Sequence, residues 1–193
     1  YMAAAPGAVM GTISEASLDF DAGHADIMAS FSSRGANGSQ KLLDIVKPNV
    51  TAPGRAIWAA YHQGDGGDGT YTYNVIQGTS MSSPHVAGAG ALMVALHPEW
   101  TPAQIESALM TTANSNVLND DGSNLATPFA QGSGAILLGN AGQAGLVLDV
   151  TEAEFAAADP AAGGDPKTLN IASLGNSQCL QECSWTRVVS STQ

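Results

Sequence analysis

The run QGTSMSSPHVAGAGALMVALHP, residues 77–98, constrains this chain more than any other stretch. Thr79, Ser80, Ser82 and Ser83, with a proline and a histidine, crowd in front of Ala87-Gly88-Ala89-Gly90-Ala91. The pattern predicts a strand over TYTYNVIQ (70–77), a turn at Gly78-Thr79-Ser80 and a helix from Ser83 to Leu96. Pro84 then falls in the first helical turn, where a missing N–H is no loss. Side chains this small cannot fill an ordinary core. They let a neighbouring backbone approach, so the helix is expected to be central and buried on most sides, with His97-Pro98 ending it.

A serine in front of a buried helix has two uses. It can cap the helix by accepting backbone N–H groups, and on spacing alone that is the commoner use. It can also be a nucleophile, which needs a base to take its proton and a group to hold the oxyanion that forms. The helix start supplies the second need, because its first N–H groups lack intrahelical partners and the positive end of the dipole lies there. Spacing leaves both uses open.

The next helix is signalled more fully. Thr101 is placed as N-cap, Pro102 as first helical residue and Gln104 as the partner in a capping box. Trp100 and Ile105 have the spacing of a hydrophobic staple, and Ile105, Ala108, Leu109 and Thr112 form one apolar stripe. Upstream, Ile27, Ala29 and Phe31 alternate as on a strand, and RAIWAAY (55–61) reads as a short buried strand. Strands alternating with helices predict an α/β domain with a mostly parallel sheet. HQGDGGDGTY (62–71) is a loop by composition; Asp65 and Asp68 leave open a calcium site or a plain turn. FAAADPAAGGDP (155–166) has the composition of a linker, and LNIASLG (169–175) and SWTRVVSST (184–192) look strand-like.

The 193 residues hold six Lys+Arg against seventeen Asp+Glu, a net charge of −11. That balance argues against nucleic acid as a partner, since phosphate contacts need clustered cations, and suits a dispersed, exported protein. No apolar run is long enough to span a bilayer, and YMAAAPGAVM lacks the basic start of a signal peptide. Tyr1 and the closing VVSSTQ look like cuts in a longer polypeptide. Cys179 and Cys183 are too few for a metal site of their own; they read as a local disulfide in an oxidising compartment, or else as two free thiols.

GTSMSSPHVAG (78–88) resembles the nucleophile signature of the subtilisin-like serine proteases, the subtilases. SFSSRG (30–35), KPNVTAPG (47–54) and TPAQIESALMTTA (101–113) resemble the blocks that accompany it, in family order, over about residues 25–150. Asn49 stands where the family usually has Asp, and Ala36 where Pro is common. The resemblance implies a serine-type endopeptidase acting on proteins or peptides through an acyl-enzyme. Ser80 would be the nucleophile, its backbone N–H half of the oxyanion hole, and no cofactor would be required. PFAQGSGAILLGNAGQAGLVLD (128–149) is similar to the end of the catalytic domain in larger subtilases with a protease-associated insertion, and LNIASLGNSQCLQECSWTRVV (169–189) to the start of their fibronectin-like β-domain. The expected organisation is therefore 1–24 as the return from an upstream insertion and 25–150 as the C-terminal part of the catalytic domain. A linker over 151–166 and a truncated β-domain over 167–193 would complete it.

The partners of Ser80 do not accompany it. The triad needs a histidine and an orienting carboxylate, and in subtilases both precede the serine, in Asp-[Ser/Thr]-Gly and His-Gly-Thr-His. Neither motif occurs in this sequence. Asp21-Ala22-Gly23-His24 echoes them but stands directly before SFSSRG, the wrong place. His62 lies in the glycine-rich loop, His97 closes the helix, and His85, five residues past Ser80 on the same helix, reads as structural. The asparagine of the family's oxyanion hole also belongs upstream; Asn49 and Asn74 are not in its motif. The chain alone is thus expected to be inactive and secreted with its parent. The alternative is a pseudoprotease or structural fragment. An α/β-hydrolase is a weak rival, because Ser82 stands at the last glycine of Gly-x-Ser-x-Gly and that fold needs its histidine after the serine.

Overall fold

The computed structural model describes residues 25–36, 44–62 and 72–193. Among the described residues the first elements are the antiparallel strands β1 (Ile57–Tyr61) and β2 (Thr72–Ile76), with Trp58 opposite Val75 and Ala60 opposite Tyr73. Helix α1 (Thr79–Leu96) is next, then α2 (Pro102–Thr111), the single turns α3 (Pro128–Gln131) and α4 (Leu138–Ala141), and β3 (Leu146–Val147). The chain ends through α5 (Glu152–Ala157), two 3-10 turns at Pro160–Ala162 and Pro166–Thr168, and β4 (Ser190–Ser191).

Helix α2 forms as its sequence dictates. The Thr101 hydroxyl accepts the Gln104 N–H at 3.2 Å and the Gln104 side chain accepts the Thr101 N–H at 2.9 Å. Thr101 also donates to Asp149 at 2.6 Å, which ties the helix start to the segment after β3. Ile105, Ala108 and Leu109 are buried, while Thr112, half-buried, donates back to the Ala108 carbonyl. These three residues meet Ala89 and Met93 of α1 and Ala141, Ala144 and Val147, with Trp100, Ile136 and Leu138 closing the cluster. A second, smaller cluster joins Met28, Val117, Ala126 and Ala130.

The described residues combine helices with short strands and depart from expectation in three places. First, the strands described pair antiparallel, β1 with β2 and β3 with β4; parallel contact is limited to the bridges Ile27–Leu118 and Thr51–Ala135. A parallel sheet requires crossover neighbours, and these strands have none among the described residues. Secondly, α1 is not enclosed. Only Ala89 and Met93 are buried, Leu92, Val94 and Leu96 stand more than half exposed, and a side chain at Gly88 or Gly90 would meet nothing within 4 Å. β1 is likewise exposed along Trp58–Tyr61. Thirdly, Met28 rather than Ile27 or Phe31 faces inward, because its N–H bonds the Leu118 carbonyl at 2.9 Å and the chain turns at Ser30-Phe31. A shift of one residue reverses the face of a strand.

The segment with linker composition is ordered in capped turns: Thr151 and Glu154 form a capping box, and Asp159 and Asp165 cap the two 3-10 turns. The C-terminal residues fold back onto the end of the larger unit. Asn170 accepts the Val188 N–H and donates to the carbonyls of Val188 and Asp149, all at 2.8–3.0 Å. Arg187 donates to the carbonyls of Lys167, Ile171 and Ser173, and partial burial pulls its pKa below the usual arginine value. Asp44 accepts the Ser177 N–H at 2.6 Å and lies 3.8 Å from Lys167. The Ser177 N–H, then its hydroxyl and the Lys167 charge, hold Asp44 below the usual carboxylate range against partial desolvation.

This packing has two measurable consequences. The Ser107 hydroxyl, 3% exposed, accepts the buried Leu148 N–H at 2.9 Å. Ser107→Ala leaves that N–H unpartnered and should lower stability by about 1–3 kcal/mol, read from the urea midpoint; an unchanged midpoint would refute the role. Asp44 binds a proton less readily folded than unfolded. Its contribution is therefore full above the ordinary carboxylate pKa of about 4 and lost as pH falls through the lower folded value. Asp44→Asn should flatten the acid limb of an unfolding profile monitored by tryptophan fluorescence. An acid limb of unchanged slope would count against it, since Asp121 and Glu154, lowered by N–H groups of their own turns, are common to both proteins.

Candidate active site

Ser80 lies in the first turn of α1, which begins at Thr79, four residues earlier than the sequence suggests. The N-cap is Gly78, with no side-chain capping bond, so neither Thr79 nor the serines cap the helix. Gly78 holds φ 153° and ψ 163°, a conformation essentially restricted to glycine. It turns β2 sharply into α1. Pro84 sits inside the helix rather than at its start. The N–H it lacks is the one that would reach the Ser80 carbonyl, so that carbonyl has no i+4 partner.

The loop KPNVTAPG reaches the same point. The Gly78 N–H donates to the Gly54 carbonyl at 2.9 Å. A Cβ on Gly54 would lie 2.2 Å from the Ser82 oxygen and 2.9 Å from the Gly78 carbonyl. The close approach therefore requires glycine at 54. Thr51 fastens the other end of the loop, its N–H on the Gly134 carbonyl and its hydroxyl on the Gln131 carbonyl, both at 2.8 Å. Sequence reasoning marked this loop as a family block but missed the role of Gly54, for which the Pro53-Gly54 pair was the signal.

Ser80 is exposed, and its N–H is one of those at the helix start with no intrahelical partner by position. The arrangement can present a hydroxyl and an oxyanion donor to a carbonyl carbon. The histidines do not complete it. His85 donates from Nδ1 to the Met81 carbonyl at 2.7 Å, one turn back on its own helix, as its reading as a structural residue anticipates. His97 closes α1, its own N–H on the Met93 carbonyl, stacks on Trp100 at 3.8 Å and donates from Nε2 to the Gly142 carbonyl at 3.0 Å. His62 directly follows β1. Asp21, His24 and the Gly/Asp loop with Asp65 and Asp68 lie outside the described residues. Among the described residues no three His, Cys, Asp or Glu side chains gather to hold a metal ion, and no helix is long and apolar enough to cross a membrane. Asn49 donates to Glu106, and the Asn74 side chain accepts the Val75 N–H at 2.8 Å. Cys179 and Cys183 form a disulfide within a short C-terminal loop.

The glycine turn, the docked Pro-Gly loop and the exposed serine together present the Ser80 hydroxyl at the start of a helix. A sequence profile of the subtilase family matches residues 3–134, about two thirds of the chain, and the chain belongs to that family. It is similar to the subtilisin-like protease SBT1.6 of Arabidopsis thaliana, 39% identical over 159 residues that cover 76% of this chain and 20% of that protein. It is 40% identical to SBT4.4 of the same plant, over 84% of this chain and 22% of that protein. With a subtilisin-like protease of Glycine max it shares 43% identity over 68% of this chain and 18% of that protein. The chain thus spans about a fifth of the length of these relatives.

Gly54→Ala should cost roughly 1–3 kcal/mol by overpacking. Removing the Ser82 hydroxyl as well should restore only part of this, because the Gly78 carbonyl remains in the way. Urea unfolding of the single and double variants measures both, and full rescue would show that the backbone approach does not matter.

Proposed function

We propose that this chain is the nucleophile-bearing part of a serine endopeptidase that cleaves proteins or peptides, with Ser80 as the nucleophile. The observation that carries the reading is the exposed hydroxyl of Ser80 in the first turn of α1, behind a glycine-only turn, within the signature Gly78–Gly88. The Ser80 oxygen attacks the scissile carbonyl as a histidine takes its proton. The Ser80 N–H and an asparagine side chain receive the oxyanion, the leaving amine takes the proton, and water then releases the acyl group. Histidine, aspartate and asparagine come from the remainder of the catalytic domain. The exposed Leu92, Val94 and Leu96 and the unfilled space beside Gly88 and Gly90 favour this, since they suit a helix that a sheet covers in the longer protein. That sheet is the mostly parallel one of an α/β fold.

The disulfide and the net charge of −11 favour secretion. The chemistry requires no cofactor, and a structural calcium ion is compatible with it. Residues 25–150 are the C-terminal part of the catalytic domain, 1–24 the return from a protease-associated insertion, and 167–193 the beginning of a fibronectin-like β-domain after the 151–166 connection. This chain by itself is inactive.

A fluorophosphonate probe tests the assignment. The longer protein should be labelled, Ser80→Ala should not, and its turnover should fall by a factor on the order of 10⁴ or more, as known from subtilisin itself. The 193-residue chain should stay unlabelled. Labelling that survives in Ser80→Ala would disprove the nucleophile. A longer protein that takes no label would instead be a pseudoprotease.

A further inference from the structure

We propose that Asn49 is an acceptor for N-linked glycosylation, an inference that rests on the secretion proposed above. Asn49-Val50-Thr51 has the Asn-x-Ser/Thr pattern that the transferase requires, with no proline at the middle position. The pattern arises at the position where the family usually carries Asp. In the folded chain the Asn49 side chain reaches Glu106, an exposed residue of α2 whose neighbours Ile105 and Ser107 point inward. Asn49 is itself partly exposed, so its amide lies at the edge of the described surface.

The order of folding gives the transferase its opportunity. Once folded, Thr51 is locked, its hydroxyl on Gln131 and its N–H on Gly134. Those partners lie some 80 residues downstream. At about 5–20 residues per second the tripeptide stays unlocked for roughly 4–16 s of synthesis. In that interval it can adopt the transferase's geometry, and afterwards the hydroxyl is occupied. In the reaction Nδ2 forms a bond to the anomeric carbon of a lipid-pyrophosphate-linked oligosaccharide. The bond from that carbon to the pyrophosphate oxygen breaks, its electron pair leaves with the lipid pyrophosphate, and Nδ2 releases one proton to the transferase.

The test uses the longer protein made in eukaryotic cells in two forms, one with its native start and one with an added cleavable secretory leader. Peptide glycosidase turns a glycosylated Asn into Asp, and peptide mass spectrometry reads position 49 without any variant having to fold. Asp at 49 only after glycosidase, in both forms, is the expected result, and Asn49→Gln should lose the corresponding gel shift. A second such pattern, Asn37-Gly38-Ser39, serves as an internal reference. An unmodified Asn49 in the leader-bearing form, with Cys179 and Cys183 oxidised, overturns the proposal. Modification with the added leader alone upholds the acceptor site and overturns secretion by the native start.

Discussion

The contact between α1 and α2 supports everything else in this structure. Met93, 1% exposed, and Ala89 lie against Ala108, fully buried, with Ile105 and Leu109 beside it. Burial of a side chain such as Met93 contributes about 1.5–3 kcal/mol, and much of the larger cluster is assembled on this one crossing. The His97–Trp100 stack and the capping box at Thr101 set how the chain passes from one helix to the next. Ser80, at the far end of α1, inherits its position from that packing. A nucleophile is only as well placed as the helix that carries it.

The opposite side of α1 behaves differently. A side chain at Gly88 or Gly90 would meet no neighbour among the described residues, and Leu92, Val94 and Leu96 are exposed. A helix with one satisfied stripe and one unsatisfied stripe is half of an interior. The hairpin, with the Trp58 and Tyr73 rings 4.9 Å apart and tilted by 32°, both about two-thirds exposed, shares that condition. The C-terminal end is better supported, since Asp44, Asn170 and Arg187 bind its backbone directly.

Much of this was legible in the residues and some was not. Helix α2 could be read nearly atom by atom, because a capping box and a staple are local and their geometry is set by spacing. The start of α1 was read four residues late because Pro84 suggested a first turn, whereas a glycine turn had already launched the helix. The parity of Met28 against Ile27 could not be read, since one bridge to Leu118, some ninety residues away, decides it. The linker composition of 155–166 hid three short capped turns.

The sequence by itself determined the signature around Ser80, the glycine that must precede it, the cap of α2 and the absence of both family motifs for the base. These are local matters of side-chain type and spacing. Only the tertiary structure decided that Gly54 is pressed against the start of α1, that His85 spends its Nδ1 on its own helix, and that α1 is covered on one side alone. Contacts between residues dozens of positions apart depend on how elements pack, and packing is a property of the assembled surfaces, which no single stretch of sequence contains.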